Sequence, residues 1–316
     1  MMCIGRLLLM LLVCVFASCT HKELCYDHSH IVNLDVKFDW SYAPDAEPES
    51  MSLYLFSEDG TRPQRYELKG CEGGTIRVPQ GVYHAVCLNS DTRNIECRDK
   101  EDINTFLVAS RDETASGSSM GMGMMLYAML NSAGRGGERY ARQPEMLWVG
   151  RGYDFVVEED GADIVLSPEQ AVVRITISIY NVENMHNVTA IMGTLSGLSE
   201  GILAGSGEHN GVSVTHSFDI AMSEDKTSLH ASLLTFGDCL RGDQKHYIDL
   251  YTVLADGSQW TYNYDVTDIV HEAEDELHIH IELDSLPVPE PSPGSSGGGF
   301  IPSIGEWNNV EQELEM

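Results

Sequence analysis

Twelve histidines and 49 acidic residues are the groups in this sequence that could ligate a metal or move protons. His278 and His280, in the run Leu277-His-Ile-His-Ile-Glu-Leu283, stand two apart. On a strand they share a face, which is one way to hold zinc. His28 and His30, beside Asp27, form a second pair. A closed zinc site needs three or four ligands. Neither pair has a third nearby, and they lie in different halves of the chain, so both are read as solvent-facing. The acidic loops also lack the calcium-loop spacing. Enzyme signatures fare no better: the sequence holds no HExxH, P-loop or GxGxxG, and where the GxSxG spacing occurs, at Gly117–Gly121, Gly197–Gly201 and Gly294–Gly298, no helical period follows it to make a nucleophile elbow. The Gly-rich stretch Gly117–Gly123 lacks the Lys-Ser/Thr that phosphate binding needs. Among so many acids, paired carboxylates arise by chance and carry no weight for glycosidase chemistry. The sequence therefore predicts no catalytic residue, no enzyme, no metal and no cofactor.

One residue does have a chemical context, and it is Cys19. Arg6 precedes the apolar run Leu7–Ala17, and Phe16-Ala17-Ser18-Cys19 ends it. The run is too short to span hydrocarbon, which takes about 20 residues. A positive start, a short apolar run and small residues describe a secretory signal. Small residues directly before a cysteine resemble the lipobox of bacterial lipoproteins. In that class the peptidase cuts before the cysteine, whose thiol takes a diacylglycerol and whose amine takes a fatty acid such as palmitate. The alternative is an ordinary signal with an incidental cysteine. Residues 1–18 are thus expected as signal peptide, and 19–30 as the lipidated cysteine and a polar tether. Cys25, Cys71, Cys87, Cys97 and Cys239 remain, an odd number without a CxxC unit, and their disulfide state is left open.

The elements carrying these residues are short strands. Ile31–Trp40 places Val32, Leu34, Val36, Phe38 and Trp40 on one face and Asn33, Asp35, Lys37 and Asp39 on the other. Similar runs follow at Ser52–Phe56, Arg65–Leu68, Thr75–Val78, Tyr83–Asn89, Thr105–Ser110, Met146–Val149 and Tyr153–Val157. They are separated by turns such as Asp59-Gly60 and Gly73-Gly74. The same grammar resumes at Ala171–Val182, Thr189–Leu195, Val212–Ile220, Ser228–Phe236, His246–Leu254, Gln259–Val266 and Leu277–Leu283. One helix is expected, Val266–Asp275, capped by Thr267 and packed through Ile269, Val270 and Ala273. The Met-rich segment 116–137 reads as a long inter-strand loop or short helix, with a partner-binding loop as the alternative.

This pattern predicts an all-β fold of two antiparallel sandwiches, over residues 31–165 and 166–286. Residues 287–316 form a Pro/Gly linker and a tail. In that tail Val310, Gln312, Leu314 and Met316 alternate with acids, as in a strand seeking a sheet edge in this chain or another. Against 49 acids stand only 19 Lys and Arg, for a net charge of −30. That balance excludes a nucleic-acid partner. Hydrophobic residues at 42% exclude a disordered acidic chain.

Residues 36–60, VKFDWSYAPDAEPESMSLYLFSEDG, resemble the opening of the fimbrillin-associated lipoproteins of gut and oral bacteroidetes. That family includes minor-fimbrium anchoring subunits and a related domain of unknown function. The matching features are Asp39-Trp40, Pro48-Glu49, Met51, Leu53-Tyr54, Phe56 and Asp59-Gly60. Gly74-Thr75-Ile76, Val78-Pro79, Gly81, Tyr83 and Asn89-Ser90-Asp91-Thr92 agree as well. The resemblance implies two transthyretin-like β-sandwiches, with Trp40 and Tyr54 filling the first core. It also implies lipid attachment to the outer membrane, surface display, and fimbrial subunits as partners in assembly or adhesion. The expected strand-exchange segment is the tail, with Phe300, Ile304, Trp307, Val310 and Leu314 as its apolar positions. The alternative is a carbohydrate-binding surface lipoprotein of a glycan-uptake system, which would present Trp148 and Trp307 on exposed platforms.

Overall fold

The computed structural model describes residues 31–113, 139–238, 244–290 and 308–312. Cys19, Cys25, the His28/His30 pair, the Met-rich segment, Cys239, linker residues 291–299, and tail residues Phe300, Ile304, Trp307 and Leu314 lie outside them.

Almost every described element is a strand. In chain order they begin with β1 (Ile31–Phe38), β2 (Ser50–Ser57), β3 (Gln64–Lys69), β4 (Gly73–Pro79), β5 (Gly81–Asn89), β6 (Ile95–Arg98) and β7 (Leu107–Ser110). Next come β8 (Tyr140–Ala141), β9 (Trp148–Val157), β10 (Ala162–Leu166), β11 (Glu169–Gln170) and β12 (Val173–Val182). Then follow β13 (Val188–Ser199), β14 (Gly201–Leu203), β15 (Ser213–Phe218), β16 (Ala221–Met222) and β17 (Leu229–Thr235). β18 (Tyr247–Leu254), β19 (Gln259–Asp265), helix α1 (Thr267–His271), β20 (His278–Leu286) and β21 (Asn308–Gln312) complete them.

The all-β reading holds, and β1 shows why. Leu34, Val36 and Phe38 are buried while Asn33, Asp35 and Lys37 face solvent, the period-two split of a half-buried strand. β1 lies between β10 and β4, and this sheet faces the five-stranded sheet β11-β9-β5-β2-β3. Between them sits a core containing Leu34, Val36, Met51, Leu53, Val78 and Leu166. A second pair of sheets, β16-β17-β12-β20 and β21-β19-β18-β13-β15-β8, encloses a core around Ile175, Ile177, Leu195, Ile248 and Leu250.

Three features differ from the sequence expectation. First, the pairing is mixed: β1 with β10, β12 with β20, β15 with β8 and β19 with β21 run parallel. Side-chain alternation is the same in both directions, so periodicity does not report strand orientation. Second, β2 is buried from Met51 to Phe56 on both faces. Its far side packs Tyr54 and Phe56 into a third core with Phe106, Val108, Ile202 and Phe236. This core and the small sheet β14-β7-β6 join residues on both sides of position 166. Trp40 is only half-buried, donating Nε1–H to the Cys71 carbonyl at 2.7 Å. Third, the helix is shorter than expected and Thr267 stands inside it. Asp265 accepts from Thr267 N at 3.1 Å and from its hydroxyl, so the acid preceding the helix holds the first turn.

His216 illustrates how deeply polar groups are held. Fully buried on β15, it donates Nδ1–H to the Ala141 carbonyl at 2.8 Å. Burial disfavours the imidazolium and lowers its pKa to about 4. An unfolded histidine titrates near ~6.5, so the unfolded chain binds more protons between those values. The stability His216 confers is therefore complete above pH ~6.5 and is lost as pH falls toward 4, about 3 kcal/mol in all. Urea titrations across that range should show this slope, and His216→Gln should flatten it. An unchanged slope would refute the assignment.

Candidate functional site: a strand seated on an open sheet edge

In the six-stranded sheet β19 lies beside the edge strand β21, and its sequence QWTYNYD alternates large aromatic and small polar residues. Tyr262 and Tyr264 point inward with no exposed surface. Their hydroxyls donate to the carbonyls of Pro287 at 3.4 Å and Ser285 at 3.1 Å, tying the end of β20 to the core. Burial raises both phenol pKa values, that of Tyr262 to about 12. Trp260, on the same face, is half-buried and donates Nε1–H to the Ser258 hydroxyl at 3.3 Å.

β18 satisfies one side of β19 through seven register pairs, Tyr247↔Asp265 to Val253↔Gln259. The other side presents a row of backbone groups, which is a template for another strand. β21 occupies it in parallel, with Trp260 opposite Asn308, Tyr262 opposite Val310 and Tyr264 opposite Gln312. Val310 lies half-buried against the second core, whereas Asn308 and Asn309 face solvent. Asn308 Nδ2 donates to the Gln259 carbonyl at 3.2 Å. Among the described residues the contact is a main-chain ladder plus the half-buried Val310 side chain, the chemistry of β-strand addition.

Of the expected tail positions, the structure thus describes Val310 alone. It places His278 and His280 on the exposed face of β20, bound to carboxylates: His278 Nδ1 lies 3.1 Å from Asp275 Oδ2, and His280 Nε2 lies 3.1 Å from Glu282 Oε1. The tryptophans divide. Trp148 packs edge-on against Trp40 at 6.1 Å and 88°, half-buried, in a surface depression that it shares with Tyr42, which is 69% exposed. Three cysteines, Cys71, Cys87 and Cys97, carry free thiols. Burial raises the Cys87 pKa to about 12, so it is a packing residue.

Stacked β-sheets, one of them edged by a C-terminal strand, define an all-β protein. The chain belongs to the family described as Domain of unknown function (DUF5119), whose model matches residues 18–219. It is similar to a candidate fimbrium anchoring subunit, Fim4B, of Bacteroides ovatus, at 22% identity over 225 residues, 71% of this chain. The chain spans 62% of that relative's length. Among solved structures it is similar to a candidate adhesin from Bacteroides ovatus, with TM-score 0.61, 18% identity, and coverage of 82% of this chain and 94% of that one. It is also similar to candidate polysaccharide-binding proteins from Bacteroides thetaiotaomicron, with TM-score 0.50, 12% identity, and coverage of 80% and 90%. The resemblance read from residues 36–60 agrees with this family.

Proposed function

We propose that this chain is a lipid-anchored outer-membrane fimbrial subunit, an anchor or accessory component serving fimbrium assembly and cell adhesion through β-strand contacts between subunits. The observation that carries the reading is β21, a C-terminal segment seated as an added strand on the β19 edge. A five-residue strand held at an edge mainly by its backbone is the kind of element that a neighbour's strand can replace. Val310 then marks the pocket position in the exchanged register. Support for membrane attachment comes from Phe16-Ala17-Ser18-Cys19, with lipid on Cys19 and the chain displayed at the surface. In this reading residues 31–165 and 166–286 are two tandem sandwiches and 287–316 is the tethered tail. The relative named as a fimbrium anchoring subunit supports the fimbrial assignment.

The test is deletion of residues 300–316, with affinity purification from the native cell envelope and mass spectrometry of what accompanies the chain. Fimbrial subunits should accompany the full-length chain and be lost from the truncated one, while circular dichroism shows the truncated chain still folded. Cys19→Ala should release the protein from the membrane fraction. Unchanged recovery of subunits by the truncated chain would sink the strand-exchange mechanism.

The second reading is a carbohydrate-binding lipoprotein of a glycan-uptake system, favoured by the depression holding Tyr42 and Trp148. Aromatic faces stack on sugar rings, so Trp148→Ala should abolish retention on glycan columns in that reading and leave subunit recovery untouched in the first.

A further inference from the structure

Beside the second core, three side chains from three separate elements converge on one point. Asp238 follows β17, His246 precedes β18, and His271 ends α1. Among the described residues, they form one of two groups with metal-ligating atoms close together. His246 Nε2 lies 3.2 Å from Asp238 Oδ1 and 3.2 Å from His271 Nε2, and His271 Nε2 lies 3.6 Å from Asp238 Oδ2. Ligands about 2.05 Å from a tetrahedral zinc stand ~3.4 Å apart, close to the separation of the two imidazole nitrogens, and one atom from each of the three residues can be chosen so that all lie within 4.8 Å of one another.

The backbone holds each ligand in place. Gly237, with φ of +87°, turns the chain out of β17, and Asp238 makes a β-bridge to Leu198. His246 N donates to Thr267 Oγ1 at 3.0 Å, and its carbonyl accepts from Val266 N at 2.9 Å, tying it to the start of α1. A bulge in β13 brings the Ser196 carbonyl within 3.2 Å of His246 Nδ1. Only glycine fits at the next position: a Cβ on Gly197 would stand 2.3 Å from the Lys245 carbonyl and 2.8 Å from His246 Nδ1.

That carbonyl decides the electronics. A carbonyl only accepts, so Nδ1 carries the hydrogen, and the neutral ring then presents the Nε2 lone pair to Asp238 and His271. A lone pair facing a carboxylate is repulsive unless a proton or a metal cation lies between them. A histidine ligand whose other nitrogen donates to a carbonyl is also the usual second-layer arrangement at metal sites. His246 is fully buried, whereas Asp238 and His271 are each about one quarter exposed and line a cleft of about 530 Å³. The fourth corner therefore opens to solvent.

We propose that Asp238, His246 and His271 form a binding site for one divalent zinc-class cation, with the fourth position taken by water or an incoming ligand. Two imidazoles and one carboxylate suit zinc or cobalt and disfavour magnesium or calcium, which prefer oxygen donors. Zinc bound here would fasten the β17 and β18 ends to α1.

The full chain, purified without a polyhistidine tag and stripped with chelator, is titrated with Zn²⁺ by calorimetry and with Co²⁺ by visible absorption. One equivalent of Zn²⁺ should bind at low-micromolar affinity or tighter, and Co²⁺ should give the intense bands of a tetrahedral complex. His271→Ala alters a partly exposed side chain at a helix end, and circular dichroism checks that it folds. It should weaken binding by about 100-fold or more, above what loss of a mere supporting group costs. His84→Ala, in the other, more exposed group with Glu58 and Asp154, should leave this equivalent in place. Absence of a saturable equivalent, or equal affinity in folded His271→Ala, would overturn the site and leave an imidazole–carboxylate cluster.

Discussion

Glu200→Ala is expected to destabilise the chain by about 3 kcal/mol, seen as a lower denaturant midpoint with an unchanged slope. The Glu200 side chain is 2% exposed, with its carboxylate between the guanidiniums of Arg98 and Arg139, whose side chains are 36% and 33% exposed. Asn210 Nδ2 donates to the same carboxylate at 2.9 Å. The Glu200 backbone is fixed as well, its carbonyl accepting from Ser110 N at 2.8 Å and its N–H reaching the Val212 carbonyl at 2.9 Å. Removing the acid leaves two half-buried cations without their shared counter-ion, beside the sheet that joins β14 to β7. Both guanidiniums retain water, and Glu96 and Asp112 still pair with them, so the loss falls at the low end for buried ion pairs. Glu200→Gln keeps an acceptor and a similar shape and should lose less. Equal stability of wild type and Glu200→Ala would show that the cluster is already neutralised by solvent.

Phe106→Ala should be costlier, about 4 kcal/mol by the same measurement. Phe106 has no exposed surface. Its ring centroid lies 4.8 Å from that of Tyr54 and 6.1 Å from that of Phe56, both on β2. Its carbonyl accepts from Ala204 N at 2.7 Å, so backbone and side chain together fasten residues 204 and 54 to one point. Truncation opens a cavity in the third core, which rigid strands on both sides cannot close. Tyr42→Ala, at a residue 69% exposed, is the matched control and should stay within about 0.5 kcal/mol. A loss at Phe106 as small as that would mean the third core is not tightly packed.

Sequence and structure agree where one face of a strand meets water. β1, β4 and β20 alternate in burial as their residues alternate in polarity. The strands missed in the sequence are β6, β8, β10, β11, β14 and β16, which have five residues or fewer and too few repeats for a period to emerge. The tail was legible because Val310, Gln312, Leu314 and Met316 alternate with acids. Its seat on β19 was not, because a sheet edge advertises only backbone groups, which every residue shares. The Asp238, His246 and His271 group was illegible for another reason. His246 and His271 are 25 residues apart and share no local spacing.

The sequence by itself determined what depends on neighbours along the chain: strand character, acidity, the cysteine after a short apolar run, and a tail able to pair. Only the tertiary structure decided which strands run parallel, that β2 is covered on both faces, that a third core spans position 166, and where the tail sits. Periodicity records whether a side chain is buried but not which side chain buries it. That second choice is made between residues distant in sequence, by packing and by the pairing of backbone edges.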